Sequence, residues 1–162
     1  MIDFENKNKT NIIARNATYT ALYVALCFLL APFSYGSIQV RIAESLTVLA
    51  LFDPYAIISI SLGCFLSNLF MSNIYDIVFG TLATFIGLFL ISKIKIDNFF
   101  VKMFPTIISN AIIIPFVLKY GYKLNDIVLY MEFIFIAIGE IISVYGIGYI
   151  LYKSLCVLKK KR

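Results

Sequence analysis

The sequence predicts an all-α membrane protein that consists of six transmembrane helices, with both termini in the cytoplasm. Of its 162 residues, 61% are hydrophobic and only 14% are charged, and the mean hydropathy is +0.91. A soluble domain of this length is about half apolar and about a quarter charged, so this chain cannot cover its surface with polar groups. Its apolar residues fall into six runs separated by short polar or proline-containing segments.

The first two apolar runs differ in length. Residues 17–33 are long enough for a helix that crosses a bilayer, whereas residues 42–52 are too short. To span, the second helix would have to begin near Ser37. That start would place Arg41 and Glu44 inside its outer turns.

The remaining four runs predict longer helices, over residues 54–71, 76–92, 104–118 and 127–152. We expect Asp53 to cap the third helix and Pro54 to be its first helical residue. The fifth run is bounded by Pro105 and Pro115, which we take as its flanks.

Lysine and arginine residues indicate the orientation. With both termini inside, eleven of the 14 basic residues are cytoplasmic and three are external, in agreement with the positive-inside rule. The expected organisation is a cytoplasmic segment (1–16), one membrane domain (17–152) and a basic cytoplasmic tail (153–162). Anionic lipid beside that tail accounts for the net charge of +5 without a nucleic-acid partner.

Several catalytic and metal-binding classes are excluded by composition. The chain has no histidine, and its three cysteines lie apart in apolar stretches with no CxxC spacing. This argues against a zinc site or a disulfide framework. Catalysis by a Ser/His or Cys/His pair is excluded. We expect no catalytic residue and no metal ligand.

Polar side chains within the apolar runs are the main functional signal, because their burial in a membrane is costly and usually marks a ligand path or an internal pair. In the predicted orientation they converge on the outer half of the bilayer, which suggests a pocket that opens outward. Tyr35 and Tyr75 are candidates for an aromatic lid over a planar ligand. The candidate binding residues in the helices are Arg41, Glu44, Asn68, Asp76, Asn110, Glu132 and Glu140.

Three of these candidates have structural alternatives of similar weight. Arg41 and Glu44 are three residues apart and could form an ion pair on one helix face. Asp76 begins the fourth helix and could be its N-cap, as could Asn73.

The asparagines and the two glutamates of the sixth helix also have alternatives. Asn68 and Asn110 could bond helices to one another. Glu132 and Glu140 are about 12 Å apart along a helix, so they could meet the two ends of an elongated ligand. Either one could instead pair with Arg41.

Small residues recur every four positions on the first helix, at Ala17, Ala21 and Ala25. Such a stripe allows another helix to approach closely. That helix could belong to this chain or to a partner protein.

Six helices in so short a chain, the alanine stripe and two cytoplasmic termini resemble the substrate-binding (S) component of an energy-coupling factor (ECF) transporter. Two segments narrow the resemblance: RIAESLTVLALFDPYAIISISLGCFLSNLF (41–70) and DIVFGTLAT (76–84). They are similar to the QueT family, which is proposed to import queuosine precursors. The similarity covers about residues 17–140.

This resemblance implies a six-helix bundle of the S-component type in the plasma membrane of a bacterium. The chain would capture queuine or a related 7-deazaguanine at the outer face. An EcfT scaffold and two ATPase subunits would drive uptake, so ATP serves the partners and this chain needs no cofactor. Ala17, Ala21 and Ala25 would dock on the scaffold. One carboxylate would accept hydrogen bonds from the base, and a second would neutralise a basic aminomethyl nitrogen.

Other functions stay open at this point. The pocket could serve another vitamin within the same transporter class. An intramembrane enzyme could use Glu132, Glu140 and Asp76 as acid–base groups or as ligands of a hard cation. A purely structural subunit would gain nothing obvious from a buried Glu140. Ligand co-purification would separate a binding subunit from a structural one.

Overall fold

The computed structural model describes residues 8–31, 40–123 and 125–160, which contain six helices and no strand. The first five are α1 (Lys9–Leu29), α2 (Ile42–Leu51), α3 (Ala56–Met71), α4 (Asp76–Lys93) and α5 (Phe99–Tyr122). The sixth, α6, consists of three consecutive parts, Asp126–Glu140, a π-helical segment Ile141–Ile147 and Gly148–Lys160. The order of helices matches the prediction, but most of their ends do not.

The first helix begins eight residues before the predicted start at position 17. Asn8 caps it by accepting a hydrogen bond from the backbone N–H of Thr10 at 3.3 Å. The last helix likewise continues to Lys160, through most of the predicted tail. Apolar runs underestimate helices whose end turns are polar, because those turns lie at the surface of the bundle.

The fifth helix corrects a second prediction, because Pro105 and Pro115 lie inside it and do not flank it. The helix begins at Phe99, where the side chain of Asn98 accepts hydrogen bonds from two backbone N–H groups. Proline inside a helix removes one backbone hydrogen bond, and membrane helices tolerate it where neighbouring groups satisfy the freed carbonyl.

The predicted start of the third helix was also wrong. A turn occupies residues 54–55, and α3 begins at Ala56. The Asp53 carboxylate accepts a hydrogen bond from the backbone N–H of Tyr55 at 3.0 Å, and its other oxygen lies 2.6 Å from Nε of Arg15. Asp53 therefore holds the turn and joins it to α1.

The short second helix is a 3₁₀ helix along its whole length of ten residues. Because a 3₁₀ helix rises about 2.0 Å per residue, it covers about 20 Å, where an α-helix of equal length covers about 15 Å. Arg41 precedes its first turn, and Glu44 lies within that turn. The start expected near Ser37 lies outside the described residues.

The second helix occupies the centre of the bundle, and residues 43–49 are all buried. The other helices pack in sequence around it, α1 on α3, α3 on α4, α4 on α5 and α5 on α6. α2 contacts α1, α3, α4 and the last two parts of α6. A polar side chain on α2 is therefore held away from the surface.

Two hydrophobic clusters lie along these helices, and polar residues separate them. On α4, Thr84 lies between Ala83 of one cluster and Leu88 of the other. Asn110 on α5 and Glu140 on α6 likewise lie between a residue of one cluster and a residue of the other. Three helices thus place a buried polar side chain at the boundary between the clusters.

Four stretches of the described chain are long and apolar enough to cross a membrane: Lys9–Leu29, Asp76–Lys93, Phe99–Gly121 and Val128–Lys160. The helices α2 and α3 are apolar but shorter. The prediction of six membrane-crossing helices is therefore supported by length and composition for four of them.

Candidate ligand-binding site

The carboxylate of Glu44 lies at the centre of the buried polar side chains that separate the two hydrophobic clusters. Glu44 is completely buried on α2. One oxygen, Oε1, accepts a 2.6 Å hydrogen bond from the hydroxyl of Tyr23 on α1 and a 3.0 Å bond from the hydroxyl of Thr84 on α4. The other oxygen, Oε2, has no hydrogen-bond partner among the described residues. Two helices thus fix this carboxylate in place while one acceptor remains available.

Asn110 and Glu140 adjoin this available oxygen. Both side chains are buried, and the Asn110 amide lies beside the carboxylates of both Glu44 and Glu140. Within the described part of the chain, neither polar side-chain atom of Asn110 makes a hydrogen bond of normal geometry. The same is true of Oε2 of Glu140. Buried polar groups are nearly always paired, so this set calls for a further partner.

The positive charge beside these groups belongs to Arg41. Its Nη2 lies 3.5 Å from Oδ1 of Asp76, and both side chains are buried. This pair joins the start of α2 to the start of α4. The Arg41 charge also acts on Glu44 and Glu140. Arg41 thus acts on three carboxylates and forms an ion pair with Asp76.

The capping interpretation of Asp76 is wrong. The side chain of Asn73 accepts hydrogen bonds from the backbone N–H groups of Tyr75 and Asp76, at 2.9 and 3.1 Å. Asp76 instead accepts hydrogen bonds from the Ser72 hydroxyl and the Asn73 amide through Oδ2, and faces Arg41 with Oδ1.

Asn68 joins two helices. Its amide donates to the backbone carbonyl of Asp76 at 3.0 Å. A Cβ added to Gly80 would lie 3.1 Å from that amide nitrogen and 3.4 Å from Oδ1 of Asp76. The glycine therefore leaves room for α3 and α4 to approach here. These contacts give Asn68 a structural task in addition to any contact with a ligand.

Three predicted site residues lie outside the buried cluster, which consists of Arg41, Glu44, Asp76, Asn110 and Glu140. Glu132 is half-buried on α6. Tyr75 is 42% exposed. Tyr35 lies outside the described residues. Their roles toward a ligand stay predictions.

Two members of the site were missed by sequence reasoning. Tyr23 lies on the same helix as the alanine stripe, and aromatic rings in membrane helices usually face the core or lipid. Thr84 lies among small residues on the fourth helix, a pattern typical of helix packing. The available signal was the spacing of Thr84, which is one turn from Gly80 and two turns from Asp76.

The alanine stripe lines an apolar groove of about 810 Å³ between α1 and α3. Ala17, Ala21 and Ala25 are exposed in it. On the opposite side of α1, Tyr19, Tyr23 and Cys27 are buried. The close approach of α1 and α3 occurs on that buried side, where a Cβ on Gly63 would lie 2.8 Å from Cβ of Tyr23. No helix of the described chain covers the stripe.

The cluster combines carboxylates, one amide and one guanidinium, all inside an apolar bundle. It can accept hydrogen bonds from N–H donors, donate through Asn110 and neutralise a positive charge. No group of three or more Cys, Asp and Glu side chains in the described ranges is placed to hold a metal ion.

Comparison with known proteins identifies similar chains. A family described as "QueT transporter" matches residues 13–156. The chain is 36% identical over 99 residues to the protein named Queuosine precursor transporter QueT of Lactococcus lactis subsp. cremoris. This match covers 57% of the chain and 59% of the length of that relative. No solved structure matches the chain.

Proposed function

The chain belongs to the QueT transporter family, and from that membership we propose that it is the substrate-binding subunit of an ECF-type importer for a queuosine precursor. The match across residues 13–156 is the observation that carries the proposal, because it includes every helix of the bundle. The family and the apolar helices make the chain a multi-pass membrane transport protein.

The buried cluster provides the ligand site in this proposal. Queuine and related 7-deazaguanines carry adjacent N–H donors on the base and a basic nitrogen on the side chain. Oε2 of Glu44 and Oε2 of Glu140 are acceptors that lack a hydrogen bond among the described residues. Charge-assisted hydrogen bonds to such donors are stronger than bonds between neutral groups. The Asn110 amide, with a donor and an acceptor, suits the edge of the same base.

The energising partners are an EcfT scaffold and two ATPase subunits. The exposed groove along α1 supports this part of the proposal, because its small side chains allow a scaffold helix to approach closely. The groove lies on the side of α1 opposite Tyr23, so docking and ligand binding use different faces of one helix.

In the proposed orientation both termini are in the cytoplasm of a bacterium and the buried cluster opens outward through the plasma membrane. The distribution of basic residues supports it, with eleven inside and three outside. All six helices then lie within the membrane, and α2 is enclosed by the others.

Uptake of labelled queuine tests the proposal. Cells that lack their own queuosine-precursor uptake would express this chain alone, the ECF module alone, or both. We expect accumulation only with both, whereas the purified chain alone should bind queuine. Accumulation with the chain alone would contradict the ECF assignment. Binding of an unrelated vitamin, with no binding of any 7-deazaguanine, would replace the proposed substrate.

A further inference from the structure

The charges in the buried cluster do not balance. Three carboxylates (Glu44, Asp76 and Glu140) surround one guanidinium (Arg41), and all four residues are at most 6% exposed. If every group is ionised, the cluster carries two net negative charges. Residues 32–39, which precede α2, contain no basic residue. No further cation of the intervening chain is available to neutralise the excess.

Two like charges in one apolar site do not both persist at low cost. Each carboxylate loses most of its hydration when it is buried, and repulsion between neighbouring carboxylates adds to that cost. The common solution is a proton shared by the pair, which belongs to the two groups together and to neither residue alone. Glu44 and Glu140 form such a pair, since Asp76 is held by Arg41, Ser72 and Asn73.

We propose that the empty site holds one proton on the Glu44–Glu140 pair, and that a cationic ligand takes its place. The proton passes to water as the ligand's positively charged nitrogen enters. The cluster then keeps one net negative charge before and after binding, so the apolar surroundings never enclose two. The ligand class is a planar base with N–H donors and a protonated side-chain amine. This inference rests on the proposed function.

The groups that face the pair are known from every helix packed against it. They are Tyr23 and Cys27 from α1, Arg41 from α2, Cys64 from α3, and Thr84 and Asp76 from α4, with the Asn110 amide from α5. Tyr23 and Thr84 bond only Oε1 of Glu44, so they leave Oε2 to the proton or to the ligand.

Proton exchange predicts how affinity depends on pH. Because the proton and the cation compete for one place, the dissociation constant should rise as pH falls, by up to about tenfold per pH unit. The range to measure is from about pH 7.5 to about pH 5.5, where the ligand amine stays protonated. A neutral ligand does not take the place of the proton. Its dissociation constant should therefore not rise in this way as pH falls.

Calorimetric titration of the purified chain tests this directly. The probes are 7-aminomethyl-7-deazaguanine, whose side chain is cationic, and 7-cyano-7-deazaguanine, whose side chain is neutral. Titrations at one pH in phosphate and in Tris report the protons released, because the two buffers have different ionisation enthalpies. We expect about one proton released with the amine and none with the nitrile. Equal heats of binding of the amine in both buffers, with an affinity independent of pH, would overturn the inference.

Two variants separate the pair from other sources of protons. In Glu140→Gln one carboxylate remains, so the amine should bind more weakly and without proton release. Asp97→Asn removes an exposed carboxylate that pairs with Lys102, and it should release the proton like the unmodified chain. Full release from Glu140→Gln would place the proton elsewhere and overturn the inference. If neither probe binds the unmodified chain, the proposed function fails and the inference with it.

Discussion

The Tyr23 hydroxyl lies 2.6 Å from Oε1 of Glu44 and donates a hydrogen bond to it. This bond links α1, whose opposite face carries the exposed alanine stripe, to the central carboxylate of the site. The helix proposed to dock on the scaffold is thus in direct contact with a group proposed to bind the ligand.

Removal of this hydroxyl should weaken the site. In Tyr23→Phe, Glu44 loses a buried donor while the ring still packs on Gly63. A hydrogen bond to a charged group contributes about 1.5–3 kcal/mol. The free energy of unfolding, the free energy of queuine binding, or both should therefore become less favourable to the folded or bound state by this amount. Thermal unfolding with and without queuine measures both. A variant equal to the unmodified chain in both assays would show that this bond contributes nothing.

The buried ion pair between Arg41 and Asp76 should show strong coupling. Asp76→Asn alone removes the carboxylate of the ion pair and leaves the guanidinium buried, and loss of one member of a buried pair costs about 3–5 kcal/mol. The double change Arg41→Gln and Asp76→Asn removes both charges and should be less destabilising than the two single changes added together. Thermal unfolding of the four proteins gives the coupling. Simple additivity would mean that the two charges do not interact.

The orientation can be tested with cysteine labelling. Lys123 and Lys95 are both exposed and lie at opposite ends of α5 and its preceding loop. In a background that contains Cys156→Ser, Lys123→Cys should react with an impermeant thiol reagent added to intact cells, and Lys95→Cys should react only after lysis. Reversed labelling would place the proposed pocket on the cytoplasmic side.

The alanine stripe can be tested by adding bulk. Ala21→Leu and Ala25→Leu should block uptake through the ECF module, because a larger side chain keeps a partner helix away. Queuine binding by the purified chain should be unchanged. Leu22→Phe adds bulk on the exposed side of α1 outside the groove, and it is the control that should preserve uptake. Full uptake with both alanines replaced would move the docking surface elsewhere.

The sequence predicted the number and order of the helices, because long apolar runs leave few alternatives. It did not predict the ends of α1 and α5. The first turn of α1 is polar, and Asn8 begins it without any apolar signal. The first turn of α5 is apolar, but Lys102 and Pro105 separate it from the long apolar run that follows. The 3₁₀ form of α2 was also unpredictable, since nothing in the pattern of residues 42–51 distinguishes it from a short α-helix.

The site was predicted in part. Glu44, Asn110 and Glu140 could be selected because each is a polar residue in an apolar run. The ion-pair partner of Arg41 could not be predicted, because Glu44 is its neighbour in sequence but Asp76 forms the ion pair with it in the fold. Tyr23 was missed since an aromatic ring in a membrane helix is usually core or lipid-facing, and its hydroxyl partner lies on another helix.

The most direct test of the central claim is the queuine affinity of Glu140→Gln, measured with thermal stability on the same purified protein. If Glu140 binds the ligand, the dissociation constant should rise by about tenfold to about a hundredfold, which corresponds to a loss of about 1.5–3 kcal/mol. Stability without ligand should be unchanged or higher, because glutamine keeps the shape and replaces a buried ionisable group with a neutral one. Unchanged affinity in a well-folded variant would contradict the account and remove Glu140 from the site.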